Sequence, residues 1–136
     1  MNNVPRTVQR LRALDAGFLP KDKLSALLGT ADVFVLPMAA MSFVDLGLPT
    51  KVFEYQAYGK PIICCSEGEP ARYVEATKCG LVVKFRDANG FAEAVMKLYK
   101  NKELGAELRW NGWRHVSENL TVGKIGEHMC AVLGCS

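Results

Sequence analysis

Three short runs of consecutive apolar residues stand out along the chain, at residues 33–36, 62–65 and 81–85. Within most of each run the apolar residues follow one another instead of alternating with polar ones. Such continuous runs are typical of strands in a parallel sheet whose two faces are both covered by helices. We therefore predict three buried parallel strands.

Helical periodicity separates and follows these runs. Apolar residues recur at helical spacing in four stripes: Leu24, Leu27 and Leu28; Phe91, Ala94, Val95 and Leu98; Leu104 and Leu108, with Trp110 as a further candidate, continuing toward Val116; and Val122, Ile125, Met129 and Val132. The predicted order is helix, strand, helix, strand, helix, strand, and then three helices. Strands that alternate with helices favour right-handed crossovers. The predicted fold class is α/β, an open parallel sheet with helices on both faces.

Punctuating residues set the ends of these elements. Thr50 is placed to cap a helix over 51–58, which Gly59 ends, and Asp87 or Asn89 is placed to cap the helix after the third strand. Residues 1–16 are an unassigned N-terminal segment, in which 8–14 fits a helix or an edge strand. Residues 119–136 are expected to form a C-terminal amphipathic helix.

Composition narrows the functional class. The chain has 136 residues, one domain's worth, with 49% apolar and 23% charged residues, which excludes disorder at chain scale. A net charge of +3 without a basic stripe excludes a nucleic-acid binder. The uncharged stretch 33–44 is too short to span a bilayer, and no secretory signal is visible. Five cysteines, an odd number without metal-ligand spacing, indicate reduced thiols, no metal site and a cytoplasmic location.

Candidate chemistry falls in the loops after the first two strands, 38–50 and 66–70, because ligands of open parallel sheets bind beyond the carboxyl ends of the strands. Lys51 opens the next helix, where unpaired N–H groups favour an anion, although a solvated lysine explains it equally well. Glu54 can accept hydrogen bonds from two hydroxyls. An acidic residue in a first helical turn is also stabilised by the helix dipole, without any ligand. A nucleophilic pair of Cys79 and His115 has little support. Trp110 and Trp113 are expected to be core or helix-packing residues.

Two segments carry a resemblance. Residues 24–37 (LSALLGTADVFVLP) and 48–63 (LPTKVFEYQAYGKPII) are similar to the strand segment and to the P-x-K-x-x-E-Y-x-A-x-G-K-P-V-I block of retaining GT-B glycosyltransferases of the family 4, or group 1, type. Supportive matches follow at 68–70, 79–83 and 91–99. The resemblance covers roughly residues 17–118, and the 48–63 block is its distinctive part.

The resemblance implies a donor domain that binds a nucleoside-diphosphate sugar. Glu54 would bind the ribose hydroxyls; Leu48, Pro49, Thr50 and Lys51 would face the diphosphate and sugar; and Gly17, Phe18 and Leu19 would lie near the base. Neither a metal nor a cofactor is expected, and no catalytic residue is assigned. Many relatives carry a second Glu where this chain has Leu46, and Asp45 replaces it only if the loop shifts by one residue.

The family uses two Rossmann-like domains, and this chain matches part of the second, so the resemblance implies a partial Rossmann-like domain, the C-terminal half of a GT-B fold. An acceptor carbohydrate or lipid is therefore expected to bind a domain outside these residues, at a membrane surface in a longer protein, and the chain alone is not expected to transfer a hexosyl group. The 33–36 strand is expected to leave an open edge, which drives self-association unless residues 8–18 cover it.

Two interpretations remain at this point. The first is the donor-binding part of a glycosyltransferase. The alternative is a non-catalytic α/β nucleotide-binding or interaction module of flavodoxin-like size. In the first, the Glu54 carboxylate faces an open crevice; in the second, Glu54 is an ordinary first-turn charge.

Overall fold

The computed structural model describes residues 16–38 and 47–134. Within these ranges six helices and three strands follow one another in the predicted order. They are α1 (Lys21–Gly29), β1 (Phe34–Pro37), α2 (Lys51–Ala57), β2 (Ile62–Cys65), α3 (Glu69–Thr77), β3 (Gly80–Val83), α4 (Ala88–Lys100), α5 (Lys102–Asn119) and α6 (Val122–Leu133). The α/β fold class is confirmed.

The strands form a parallel sheet in the order β1-β2-β3 within the described ranges. Phe34 of β1 lies opposite Ile62 of β2, which lies opposite Gly80 of β3. The central strand is the most deeply buried, with Ile62, Ile63 and Cys64 all at 0% exposure. This burial explains why β2 is apolar at every position, as predicted for a sheet covered on both faces.

Two apolar clusters occupy the two faces of the sheet. Because side chains alternate along a strand, Ile62 and Cys64 pack with Val52 of α2 and Val74 of α3. Ile63 points the other way and packs with Ala94 and Leu98 of α4 and Leu108 of α5. The helices on both faces are thereby confirmed.

Helix α5 links the two layers, since it contacts α2, α3, α4 and β3. Gly112 of α5 packs against Cys79, the residue just before β3, and Asn111 Nδ2 donates to the Lys78 carbonyl at 3.2 Å. The helix therefore lies at the amino ends of the strands. The loops after β1 and β2 leave the sheet at the opposite edge, away from this contact with α5.

The bounds of the first and third strands differ from the predicted ones by one or two residues, whereas the second strand has its predicted bounds. The first strand is Phe34–Pro37 and includes Pro37, which the sequence predicts to terminate it. Phe34 and Met38 donate to Pro61 and Cys65 of the β2 side, so the nitrogen of Pro37 faces the open edge, where no donor is needed. The third strand begins at Gly80, which pairs with Ile62, and ends at Val83. A Cβ at Gly80 would collide with the Ile62 carbonyl oxygen, so glycine is required there.

The predicted caps divide into two groups. Asp87 accepts from the Gly90 N–H at 2.9 Å and caps α4, and Gly59, at φ 62°, follows the end of α2. Thr50 does not cap α2: its backbone is already helical, and its side chain makes no capping hydrogen bond within the described residues. The prediction for Thr50 is wrong because that residue joins the first turn instead of flanking it.

Several apolar surfaces face outward in the part of the chain that the structure describes. The β1 edge opposite β2 has no partner strand there, and Val35 is 36% exposed. Leu24 and Leu27 of α1 are also exposed, as are Ile125, Met129 and Val132 of α6. All but the last residue of the predicted N-terminal segment 1–16 lies outside the described residues.

Candidate functional site

A crevice between α1 and α2 holds the candidate acidic residue. Its volume is about 490 Å³, and it is lined by Lys21, Leu24, Ser25, Leu28, Glu54, Ala57 and Tyr58. Glu54 is exposed and Lys21 is the first residue of α1, so the crevice carries one carboxylate and one ammonium group. The structure thus places the Glu54 side chain in the wall of an open crevice.

Aromatic contacts fix α2 against the sheet. The Phe34 ring of β1 stacks on Tyr55 at a centroid distance of 4.3 Å and meets the edge of Tyr58 at 6.0 Å. The Tyr58 hydroxyl donates to Ser25 Oγ of α1 at 2.9 Å. Burial and the neighbouring Glu54 carboxylate raise the pKa of Tyr55, so its phenol stays neutral beside that charge. These contacts hold the two walls of the crevice together.

A second set of polar contacts holds α2 on its inner side. Gln56 is fully buried, accepts from the Tyr73 hydroxyl at 2.9 Å and donates to Thr77 Oγ1 at 3.5 Å. Burial raises the pKa of Tyr73 to about 12, although the Gln56 hydrogen bond opposes the shift. Gln56 and Glu54 therefore point to different sides of α2, one into the core and one into the crevice.

The first turn of α2 offers fewer free donors than the sequence suggests. The N–H groups of Val52 and Phe53 donate to the Pro49 and Thr50 carbonyls at 3.2 and 3.1 Å. The Glu54 N–H also donates to Thr50, at 3.4 Å. These three N–H groups are therefore already used, and the exposed Lys51 ammonium group is the charged donor at this end of α2.

The other residues predicted for the site differ in their environments. Leu48 packs against the cluster that contains Val52 and Val74, so its side chain serves the core. Gly17 has φ 62°, Phe18 is fully exposed and Leu19 is half-buried, and all three precede α1. Asp45 and Leu46 lie outside the described residues.

Lys21 is the residue that sequence reasoning missed. It belongs to the helix that follows Gly17, Phe18 and Leu19, whereas Glu54 belongs to a helix more than thirty residues later. Only the packing of α1 on α2 brings the two into one crevice. The sequence feature that could have pointed to Lys21 is its position at the start of a predicted helix, directly after residues 17–19, which the resemblance assigns to the base.

The structure does not support Cys79 and His115 as a nucleophilic pair. Cys79 is buried, and burial raises the pKa of its thiol, the reverse of what an attacking thiolate requires. Thr77 Oγ1 donates to its sulfur at 3.2 Å. The His115 ring meets Tyr73 edge-on at 5.7 Å. Both residues serve packing.

Among the residues that the structure describes, no group of three or more His, Cys, Asp and Glu side chains is placed to hold a metal ion. No helix in residues 16–38 and 47–134 is long and apolar enough to cross a membrane.

Comparison with known sequences gives the class of the protein. The family described as "Glycosyl transferases group 1" matches residues 16–114. This stretch is more than half of the chain and contains the crevice, the sheet and most of α5. The chain belongs to the group 1 glycosyl transferases.

Individual relatives share the same region. Sucrose-phosphate synthase 4 of Arabidopsis thaliana is 37% identical over 87 residues, which are 64% of this chain and 8% of the relative. A sucrose-phosphate synthase of Zea mays is 32% identical over 84 residues, 62% of this chain and 8% of the relative. The putative colanic acid biosynthesis glycosyltransferase WcaL of Escherichia coli K12 is 35% identical over 80 residues, 58% of this chain and 20% of the relative. The chain thus matches a small part of each.

Proposed function

We propose that this chain is the donor-binding part of a glycosyltransferase, which transfers a hexosyl group from a nucleoside-diphosphate sugar to an acceptor. The observation that carries the proposal is the position of Glu54 in the α1–α2 crevice of a chain that belongs to the group 1 family. No observation on the described residues specifically favours the alternative, a non-catalytic nucleotide-binding or interaction module.

The donor's ribose is assigned to Glu54. A carboxylate accepts hydrogen bonds through both oxygens, and the neighbouring 2′ and 3′ hydroxyls of a ribose present two donors side by side. The crevice of about 490 Å³ is in the size range of small-molecule sites. Gly17, Phe18 and Leu19 precede Lys21, so the base is assigned to that end of the crevice.

The diphosphate is assigned to Lys51, at the start of α2. Lys51 lies one helical turn before Glu54, with Leu48, Pro49 and Thr50 just upstream, whereas Lys21 lies across the crevice at the end assigned to the base. When the bond from the sugar to the diphosphate breaks, negative charge grows on the leaving phosphate. A fixed ammonium group stabilises that charge without a metal ion. We propose retention of configuration and no cofactor, as in the family that the sequence resembles.

The acceptor is assigned outside this chain. The matched stretch covers 8% to 20% of the curated relatives, whose names include sucrose-phosphate synthase and a colanic acid biosynthesis enzyme. We therefore propose that an acceptor carbohydrate or lipid binds parts of such relatives that the match does not reach, and that this chain alone binds donor nucleotide without transferring sugar. We also propose a cytoplasmic location, with peripheral membrane contact in a longer protein.

Calorimetric titration with UDP, GDP and ADP tests the nucleotide site. One of the three should bind saturably, and Glu54→Gln should weaken it about tenfold, since a hydrogen bond to a charged group contributes roughly 1.5 kcal/mol or more. Glu93→Gln is the matched control, because Glu93 is an exposed glutamate of α4, which packs on the opposite face of the sheet. Absence of saturable binding by the folded chain, or equal losses in both variants, would contradict the proposal.

A further inference from the structure

The two tryptophans of the chain lie side by side on an exposed flank of α5. The rings of Trp110 and Trp113 are stacked, with centroids 5.3 Å apart and planes inclined by 27°. They are 56% and 43% exposed. Of the two expected roles, burial in the core is wrong, whereas Trp113 does lie beside Gly59 at the end of α2.

The core has no place for these rings. The buried residues of α5 are Leu108 and Gly112, and a Cβ at Gly112 would already lie 3.0 Å from Cys79 Cβ. Trp110 and Trp113 are offset from that buried line, toward the end of α2. Tryptophan normally hides most of its large apolar surface, so a stacked pair left in water marks an interaction surface.

The pair forms one wall of a groove of about 350 Å³. Its other lining residues are Ala57, Tyr58, Gly59 and Arg109. Gly59, at φ 62°, leaves the floor open beside Trp113, where a Cβ would lie 4.0 Å from the indole. Among the described lining residues, Arg109 is the charged one.

These groups favour a flat ligand with apolar faces and oxygen atoms at its edge. The electron-rich face of an indole attracts polarised C–H groups, and a guanidinium donates several hydrogen bonds in its own plane. A pyranose ring presents C–H groups on its faces and hydroxyls around its rim. Arg109 disfavours a cationic ligand. A groove of about 350 Å³ lies in the size range of small-molecule sites, which favours a sugar-sized ligand.

We propose that the Trp110–Trp113 groove is an oligosaccharide-binding site, separate from the nucleotide crevice. The choice of a sugar among flat ligands rests on the proposed glycosyl transfer. The groove shares Ala57 and Tyr58 with the α1–α2 crevice, but Glu54 does not line it. A glycan held here would lie beside the donor crevice without blocking Glu54.

Intrinsic fluorescence reports directly on this site, because both tryptophans of the chain are in it. We would titrate the chain with maltotetraose, cellotetraose and trigalacturonate and follow the indole emission. At least one sugar should change the emission saturably. Trp113→Ala and Arg109→Gln should each weaken binding about tenfold, as loss of a stacking platform does, while Trp113→Phe should retain most of it.

Two controls separate this proposal from the nucleotide site. Glu54→Gln should leave the sugar titration unchanged, and Trp113→Ala should leave calorimetric nucleotide binding unchanged, with circular dichroism confirming that each variant is folded. No saturable change with any sugar up to about 50 mM, far above a millimolar dissociation constant, would overturn the proposal. Sugar binding that Trp113→Ala leaves intact would also overturn it. So would an emission shift that depends on protein concentration alone, since a second copy would then cover the pair.

Discussion

Single residues decide how closely α5 can approach the rest of the fold. Gly112 is buried where α5 meets α2 and Cys79, and its hydrogen occupies the place where a Cβ would lie 3.2 Å from Gln56 Cγ. Nothing in the hydrophobic pattern distinguishes Gly112 from Gly105 of the same helix. The difference is a tertiary contact, which is why sequence reasoning did not find it.

A pair of alanine substitutions tests this contact. Gly112→Ala should lower the free energy of unfolding by about 1–3 kcal/mol, the usual effect of overpacking. Gly105→Ala should raise it by up to about 1 kcal/mol, because no atom lies within 4 Å of a Cβ there and alanine favours a helix. Urea denaturation of both variants measures the difference. Equal changes would show that α5 does not pack as described.

The candidate site shows the same division between local and tertiary signals. Glu54 and Lys51 could be predicted because they lie in one motif on one helix. Lys21 could not, because it joins them through the contact of α1 with α2. The tryptophans were misassigned because periodicity marks an apolar residue without showing whether a partner covers it.

At the scale of elements, the order of helices and strands can be predicted from periodicity together with capping and helix-ending residues, and the differences from the structure lie at the ends of elements. The 62–65 strand was predicted with its correct bounds, since it is buried on both faces. The other two strands shifted because an edge proline and a close backbone approach at Gly80 depend on neighbouring strands. Helix α3 was predicted in the order without bounds, because its apolar residues are few.

The two predicted helix caps, Asp87 and Thr50, should differ in their contribution to stability. Asp87→Ala should destabilise the protein by about 1 kcal/mol, because the Asp87 carboxylate accepts from the Gly90 N–H at the start of α4. Thr50→Ala should have an effect near zero, since Thr50 makes no capping hydrogen bond within the described residues. Thermal unfolding of both variants compares them. A larger loss for Thr50→Ala would contradict the assigned roles.

At the scale of the whole molecule, the open β1 edge bears on association. The N–H groups of residues 33 and 35 point away from β2, since those of Phe34 and Met38 point toward it. We expect the chain to self-associate through this edge, although Pro37 removes one donor from it. The alternative cover, residues 8–18, falls mostly outside the described residues.

Light scattering tests the edge directly. Val35→Lys should shift the chain toward monomer, because a lysine on an edge strand opposes pairing. Val122→Lys is the control, since Val122 is 90% exposed on α6, far along the chain from β1. A monomer at every concentration for the parent chain, or an equal response to both substitutions, would contradict association through β1.

The Glu54 carboxylate is proposed to hold the donor's ribose through hydrogen bonds from its hydroxyls. The most direct measurement is a calorimetric cycle that compares the tightest-binding nucleoside diphosphate with its 2′,3′-dideoxy analogue, each on the parent chain and on Glu54→Gln. Losing the hydroxyls and losing the carboxylate should each weaken binding about tenfold, and the two losses together should cost little more than one. Losses that multiply independently would place the ribose away from Glu54 and contradict the account.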